Sequence, residues 1–135
     1  VSRRLAIILA IVAVGAIAVW FFVGRSGSNA RPSDETARRV ADDFLASLKA
    51  KQVDAAWERT TPDFKSFRGK SVFRKYVQAQ PMLMSALTFE SVKDETKDER
   101  RVTNCVYAVP GQSVRVQIAV AFDGGEWRVD GLRVD

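Results

Sequence analysis

Val114-Arg-Val-Gln-Ile-Ala-Val-Ala-Phe122 alternates apolar residues with Arg115, Gln117, Ala119 and Ala121. A period of two over nine residues is the signature of a strand with one face buried. Asp123-Gly124-Gly125 follows it as a tight hairpin signal, and Trp127–Val134 supplies the returning strand. Upstream, Arg101–Val109 ends at Pro110-Gly111 and reads as another strand. Leu87–Lys93 reads as a fourth, with Asp94–Glu99 as a charged turn between them.

Before Leu87 the period changes from 2 to 3.6. Ser33 is placed to cap a helix with Asp34 and Glu35 in its first turn, where acids suit the helix dipole. Ala37, Val40, Ala41, Phe44, Leu45 and Leu48 form its apolar side. Val53, Ala56, Trp57 and Thr60 predict a second helix, stopped by Thr61-Pro62-Asp63. Phe64 and Phe67 read as the packed anchors of an irregular turn into Gly69. A third helix starts near Ser71 with Val72, Phe73, Tyr76 and Val77 inward, and runs to Pro81. Helices first and an antiparallel meander afterwards define an α+β domain, three helices on a four-stranded sheet, over residues 34–135.

Ahead of this domain, Leu5–Val23 is a run of nineteen residues without a charge. As a helix it is roughly 28 Å long, close to the ~30 Å hydrocarbon thickness of a bilayer. Arg3 and Arg4 precede it, and Trp20, Phe21 and Phe22 close it where an aromatic belt meets headgroups. Residues 1–23 are therefore expected to be a single transmembrane anchor, with Leu5, Leu9, Val12, Gly15 and Val19 along the span. Ser28-Asn29-Ala30 carries small residues of the kind a signal peptidase cleaves, but the apolar run exceeds the usual ~7–15 residues of a signal peptide. Ala6, Ala10 and Ala13 form a small-residue stripe, a pattern that permits close helix approach and is also common in such spans. Residues 24–33 form a short polar linker that keeps the domain near the bilayer. Positive charges nearly balance across the span. The short basic N-terminus favours a signal anchor, N-terminus in, with the domain on the periplasmic side of a bacterial inner membrane.

Composition excludes several chemistries. The net charge is +5, and from residue 31 onward 18 Lys and Arg face 16 Asp and Glu, too balanced for a nucleic-acid binder. The chain has no histidine, which removes Ser-His-Asp and Cys-His catalysis and histidine-based metal sites together. Cys105 is the one cysteine, placed in a strand where a buried thiol is the default. No metal or cofactor is expected.

Two residue groups stand out as candidate sites. Lys65, Arg68, Lys70, Arg74 and Lys75 fall within eleven residues, in a stretch from Asp63 to Glu90 that has no acid between its ends. Beside Ser71 and a helix N-terminus they suit an anion, an anionic lipid headgroup or an acidic partner, or else form a solvated face. Trp57, Tyr76, Asn104 and Tyr107 are candidates to line a pocket, with core packing as the competing role of the aromatics.

Ala41-Asp-Asp-Phe44-Leu45-Ala-Ser-Leu48, Val53-Asp54-Ala55-Ala56-Trp57 and Thr60-Thr61-Pro62-Asp63-Phe64 resemble the opening helix pair of the nuclear-transport-factor-two-like superfamily. Gly124-Gly125-Glu126-Trp127-Arg128-Val129-Asp130-Gly131-Leu132 resembles its closing hairpin. The likeness spans residues 34–135 and is strongest to small bacterial domains carried on a membrane anchor. The family's usual glycine between the first two helices is absent, with Lys49-Ala-Lys-Gln52 in its place. The resemblance implies a cone, a curved sheet wrapped on three helices with a cavity at its wide end. Isomerase-like members place a carboxylate base and a hydrogen-bond donor there. Here Asp63, Glu90, Asp94 and Asp130 all fall at element ends or on expected solvent faces, so no such pair is expected. The expectation is a single-pass, non-enzymatic accessory or assembly subunit acting through protein–protein contacts in a membrane complex. Related single-span subunits occur in bacterial type IV secretion systems, an analogy of fold. The alternative is a cone that binds, or acts as an isomerase on, a small apolar ligand.

Overall fold

The computed structural model describes residues 32–135. Helix α1, Asp34–Lys49, begins where expected: the Ser33 hydroxyl accepts the Thr36 amide at 3.1 Å. Its Ala37, Ala41, Phe44 and Leu48 are buried, at the i, i+4, i+7 and i+11 spacing of one helix face. It ends with Lys51 at φ 61°, a left-handed conformation usually given to glycine. The Lys51 amide donates to the Leu48 carbonyl and the Gln52 amide to the Ser47 carbonyl, which closes the helix with a Schellman turn.

Helix α2 is Val53–Glu58, α3 is Pro62–Phe67 and α4 is Lys70–Ala79; a 3-10 turn, Pro81–Met84, follows. The described residues thus hold four α-helices where three were expected. The additional one, α3, occupies the stretch expected to be an irregular turn. Thr61 caps it by accepting the Phe64 amide at 3.2 Å, and Pro62 sits in its first turn, where a missing N–H costs nothing.

Strands β1 (Thr88–Lys97), β2 (Arg100–Ala108), β3 (Arg115–Asp123) and β4 (Glu126–Val134) form one antiparallel sheet in the order β1-β2-β3-β4. The α+β architecture with a four-stranded meander follows the sequence pattern. β1 runs farther than expected, through the acidic stretch to Lys97, and the turn is only Asp98-Glu99, both at positive φ. Between β3 and β4, Gly124 and Gly125 take φ of 59° and 83°, as a two-residue hairpin turn demands.

Cys105, Tyr107, Val116, Ile118, Val120, Val129 and Leu132 make the sheet's contribution to the core, packed with α1, Phe64, Phe73 and Val77. Phe73 is fully buried, with the rings of Phe44 and Phe64 at 6.1 and 5.5 Å. These side chains pack between the helices and the sheet.

Among the described residues no helix is long and apolar enough to cross a membrane. The span expected over residues 5–23, with Leu5, Leu9, Val12, Gly15, Val19, Trp20, Phe21 and Phe22, lies outside the described residues, as does the linker up to residue 31.

Candidate functional site

A bulge in β4 builds the most polar site. Ala119 pairs with Gly131 and Val120 with Val129, so Asp130 is an extra residue on β4. Its carboxylate is not on a solvent face, as the sequence reading expected: Asp130 is only 1% exposed. The bulge keeps Val129 and Leu132 both in the core and sends Asp130 to the face shared by Asn104, Ala119 and Gly131. That face is opposite Cys105 and Ile118, since neighbouring strand residues alternate.

Asp130 is met from three elements. The Thr61 hydroxyl donates to its Oδ1 at 2.7 Å, and Arg100 Nη2 donates to the same oxygen at 2.5 Å. Lys97 Nζ lies 3.8 Å from Oδ2. Arg100 also reaches Asp63 at 2.9 Å. Burial works against the Arg100 charge, but the hydrogen bond and charge of Asp130 outweigh it and hold the guanidinium above its ordinary value. Among the described residues, Oδ2 of Asp130 has no hydrogen-bond donor and Nε of Arg100 has no acceptor. The Thr61 amide donates to the Val129 carbonyl at 3.0 Å, so the start of α3 is tied to the β4 edge beside this cluster.

Asp130 floors a depression of about 300 Å³ whose walls include Asp63, Phe67 and Arg68 of the α3 segment, Glu95 and Lys97 of β1, and Asn104, Gln117 and Arg133 of the sheet. Asn104 donates to Gln117 at 2.6 Å, and Gln117 donates to Asp135 at 2.7 Å. The lining carries both signs of charge. Oδ2 of Asp130 is an acceptor there for a ligand that brings a donor.

Of the four pocket candidates, only Asn104 lines this depression. Trp57 donates its indole N–H to the Arg68 carbonyl at 2.8 Å, and Tyr76 lies under the Arg68 guanidinium at 3.8 Å. Tyr107 is buried against Phe89 and donates its hydroxyl to Asp42 at 2.6 Å. Burial, then the bond to Asp42, push the Tyr107 phenol above its ordinary range. Trp57 and Tyr76 thus meet at Arg68, while Tyr107 packs at the β1–α1 side of the sheet. Cys105 is fully buried, and burial pushes its thiol up to about 11.

The basic cluster is partly neutralised. Arg74 grips Asp54 through Nε at 2.6 Å, and this hydrogen bond holds the Asp54 carboxyl below its ordinary value. Lys70 pairs with Glu58 at 3.1 Å, and Lys65 donates to the Glu58 carbonyl at 3.0 Å; both stand over the Trp57 ring. Lys75 is exposed. Asp54 and Glu58, from α2, are the acids that a linear reading of residues 63–90 does not see. Phe67, expected as a packed anchor, is 81% exposed at the last residue of α3, while Phe64 is buried.

Among the described residues, no three Asp, Glu or Cys side chains converge to hold a metal ion. No protein family, curated protein or solved structure matches the chain.

Proposed function

We propose that this chain is a single-pass membrane protein whose α+β domain is a non-enzymatic accessory or assembly module working through protein contacts. The observation that carries this is the nineteen-residue uncharged run Leu5–Val23, with only the ten-residue linker 24–33 between it and the domain. The aromatic and basic residues at its two ends support a bilayer span, and the short basic N-terminus favours a domain on the periplasmic side of a bacterial inner membrane. A nuclear-transport-factor-two-like cone is the fold we propose for the domain. Lys51 in the left-handed conformation, at the point where that family has glycine, supports this. So does the reach of Lys97 and Arg100 across β3 to Asp130, which fits a strongly bent sheet.

The arrangement around Asp130 favours binding over catalysis. Its Oδ1 is already held by the Thr61 hydroxyl and the Arg100 guanidinium. Membranes washed at alkaline pH test the anchor: the intact chain stays with the lipid, and a chain lacking residues 1–23 is released. Mild-detergent extraction tests the assembly role, for which a co-purifying protein is expected. A lone monomer from native membranes would count against it.

The depression over Asp130 supports a second reading, a small polar ligand held at Oδ2. Ligand-dependent thermal shifts that vanish in Asp130→Asn would favour it.

A further inference from the structure

Among the described residues, two large apolar side chains stand exposed, and they flank one turn. Phe67 ends α3 at 81% exposure, and Val72 lies in the first turn of α4 at 57%, on either side of Gly69. An apolar pair on one turn with cations beside it is the kind of surface that marks an interaction site, where a single exposed apolar residue is not. Lys70 and Lys75 lie beside the pair; the Lys70 side chain, though paired with Glu58, is 39% exposed, and Lys75 is exposed.

The geometry points to the α3–α4 turn as a docking face for an anionic bilayer, with Phe67 and Val72 entering the interfacial layer and Lys70 and Lys75 on headgroup phosphates. Two observations choose lipid over a soluble acidic partner. Residues 24–33, between the apolar run and the domain, span at most roughly 35 Å when extended, so the domain stays within reach of the surface. Aromatic residues beside cations are also the composition of interfacial anchors, each cation contributing ~1 kcal/mol near an anionic surface. The inference rests on the anchored reading above and adds a fixed orientation: this face towards the lipid, the β2–β3 turn away from it.

The test uses the full chain with Phe67→Cys carrying an environment-sensitive fluorophore. Cys105, fully buried, stays unlabelled under native conditions. Gln112→Cys, on the exposed β2–β3 turn, is the control. The protein is placed in nanodiscs of phosphatidylcholine alone or mixed with phosphatidylglycerol. The expected result is blue-shifted emission at position 67, shielded from an aqueous quencher, in the anionic discs only, with position 112 open in both. Lys70→Glu with Lys75→Glu lowers the docked-to-undocked ratio about thirtyfold, at roughly fivefold per basic residue. Equal quenching at positions 67 and 112 in both discs overturns the proposal. So does shielding at position 67 in native membranes without shielding in either disc, which assigns the face to a protein. A chain that fails to enter discs overturns the anchor instead; the same probe mixed with anionic vesicles then decides the docking face by itself.

Discussion

Asp130→Asn removes the negative charge on which Thr61, Arg100 and Lys97 converge, while keeping the shape of the side chain. The carboxylate side chain is fully buried and the Arg100 side chain is 28% exposed, so the pair is closer to a buried than a surface ion pair. Removing one partner of a buried pair costs about 3–5 kcal/mol, because the other is left charged and uncompensated. Asp63, at 2.9 Å, still holds Arg100, which argues for the lower end. Lys97, half exposed, adds at most about 1 kcal/mol. The expected loss is about 3 kcal/mol, or about 12–24 °C in Tm for a domain of this size. The assay is thermal and urea unfolding of residues 32–135, followed by circular dichroism, in a double-mutant cycle with Arg100→Met. Asp130→Asn and Arg100→Met should couple by at least about 1 kcal/mol. A loss below about 1 kcal/mol for Asp130→Asn, or no coupling in the cycle, refutes the view that this cluster ties α3, β2 and β4 together.

Four further outcomes are expected. The fragment 32–135 folds without the N-terminal residues, checked by a cooperative urea transition; a non-cooperative one counts against the domain boundary. Phe73→Ala opens a cavity among Phe44, Phe64 and the sheet and costs about 3–5 kcal/mol in the same assay. Lys51→Gly stabilises by up to about 1 kcal/mol, since glycine takes the left-handed conformation without the Cβ penalty. Stability falls as pH rises past about 9. The buried Cys105 thiol, raised from 9.0 to about 11, and the Tyr107 phenol, raised from 10.0, stay protonated in the fold while the unfolded chain ionises. Below pH 9 their contribution is fully present; urea midpoints across pH 8–11 check the sign, and Tyr107→Phe should remove part of the decline.

Much of the domain is legible in the chain because its patterns are regular. Ser33 with Asp34 and Glu35 marks the start of α1, and the alternation from Val114 marks β3 within a residue. Three features escape for definable reasons. β1 runs through Asp94 and Glu95 because an edge strand tolerates charge that propensity counts against it. Helix α3 hides because Thr61-Pro62-Asp63 is both a stop for one helix and a cap for the next. Asp130 is misplaced because strict alternation from Trp127 puts Leu132 and Asp130 on one face. Val129 and Leu132, three apart and both apolar, carry the signal of a bulge, and Gly131 beside them strengthens it. The partners of Lys70 and Arg74 are invisible for another reason: they come from α2, brought alongside only by the tertiary fold.

Half of the ten residues in β1 are charged, and β1 is one outer strand of the sheet; at the other, Thr60 bridges to Val129. Many copies crowded side by side would therefore find no bare ribbon to zip onto, since charged side chains line one border and a helix connection covers part of the other. Polymerisation by strand exchange is suppressed by the same acidic and basic residues that make the first hairpin hard to recognise.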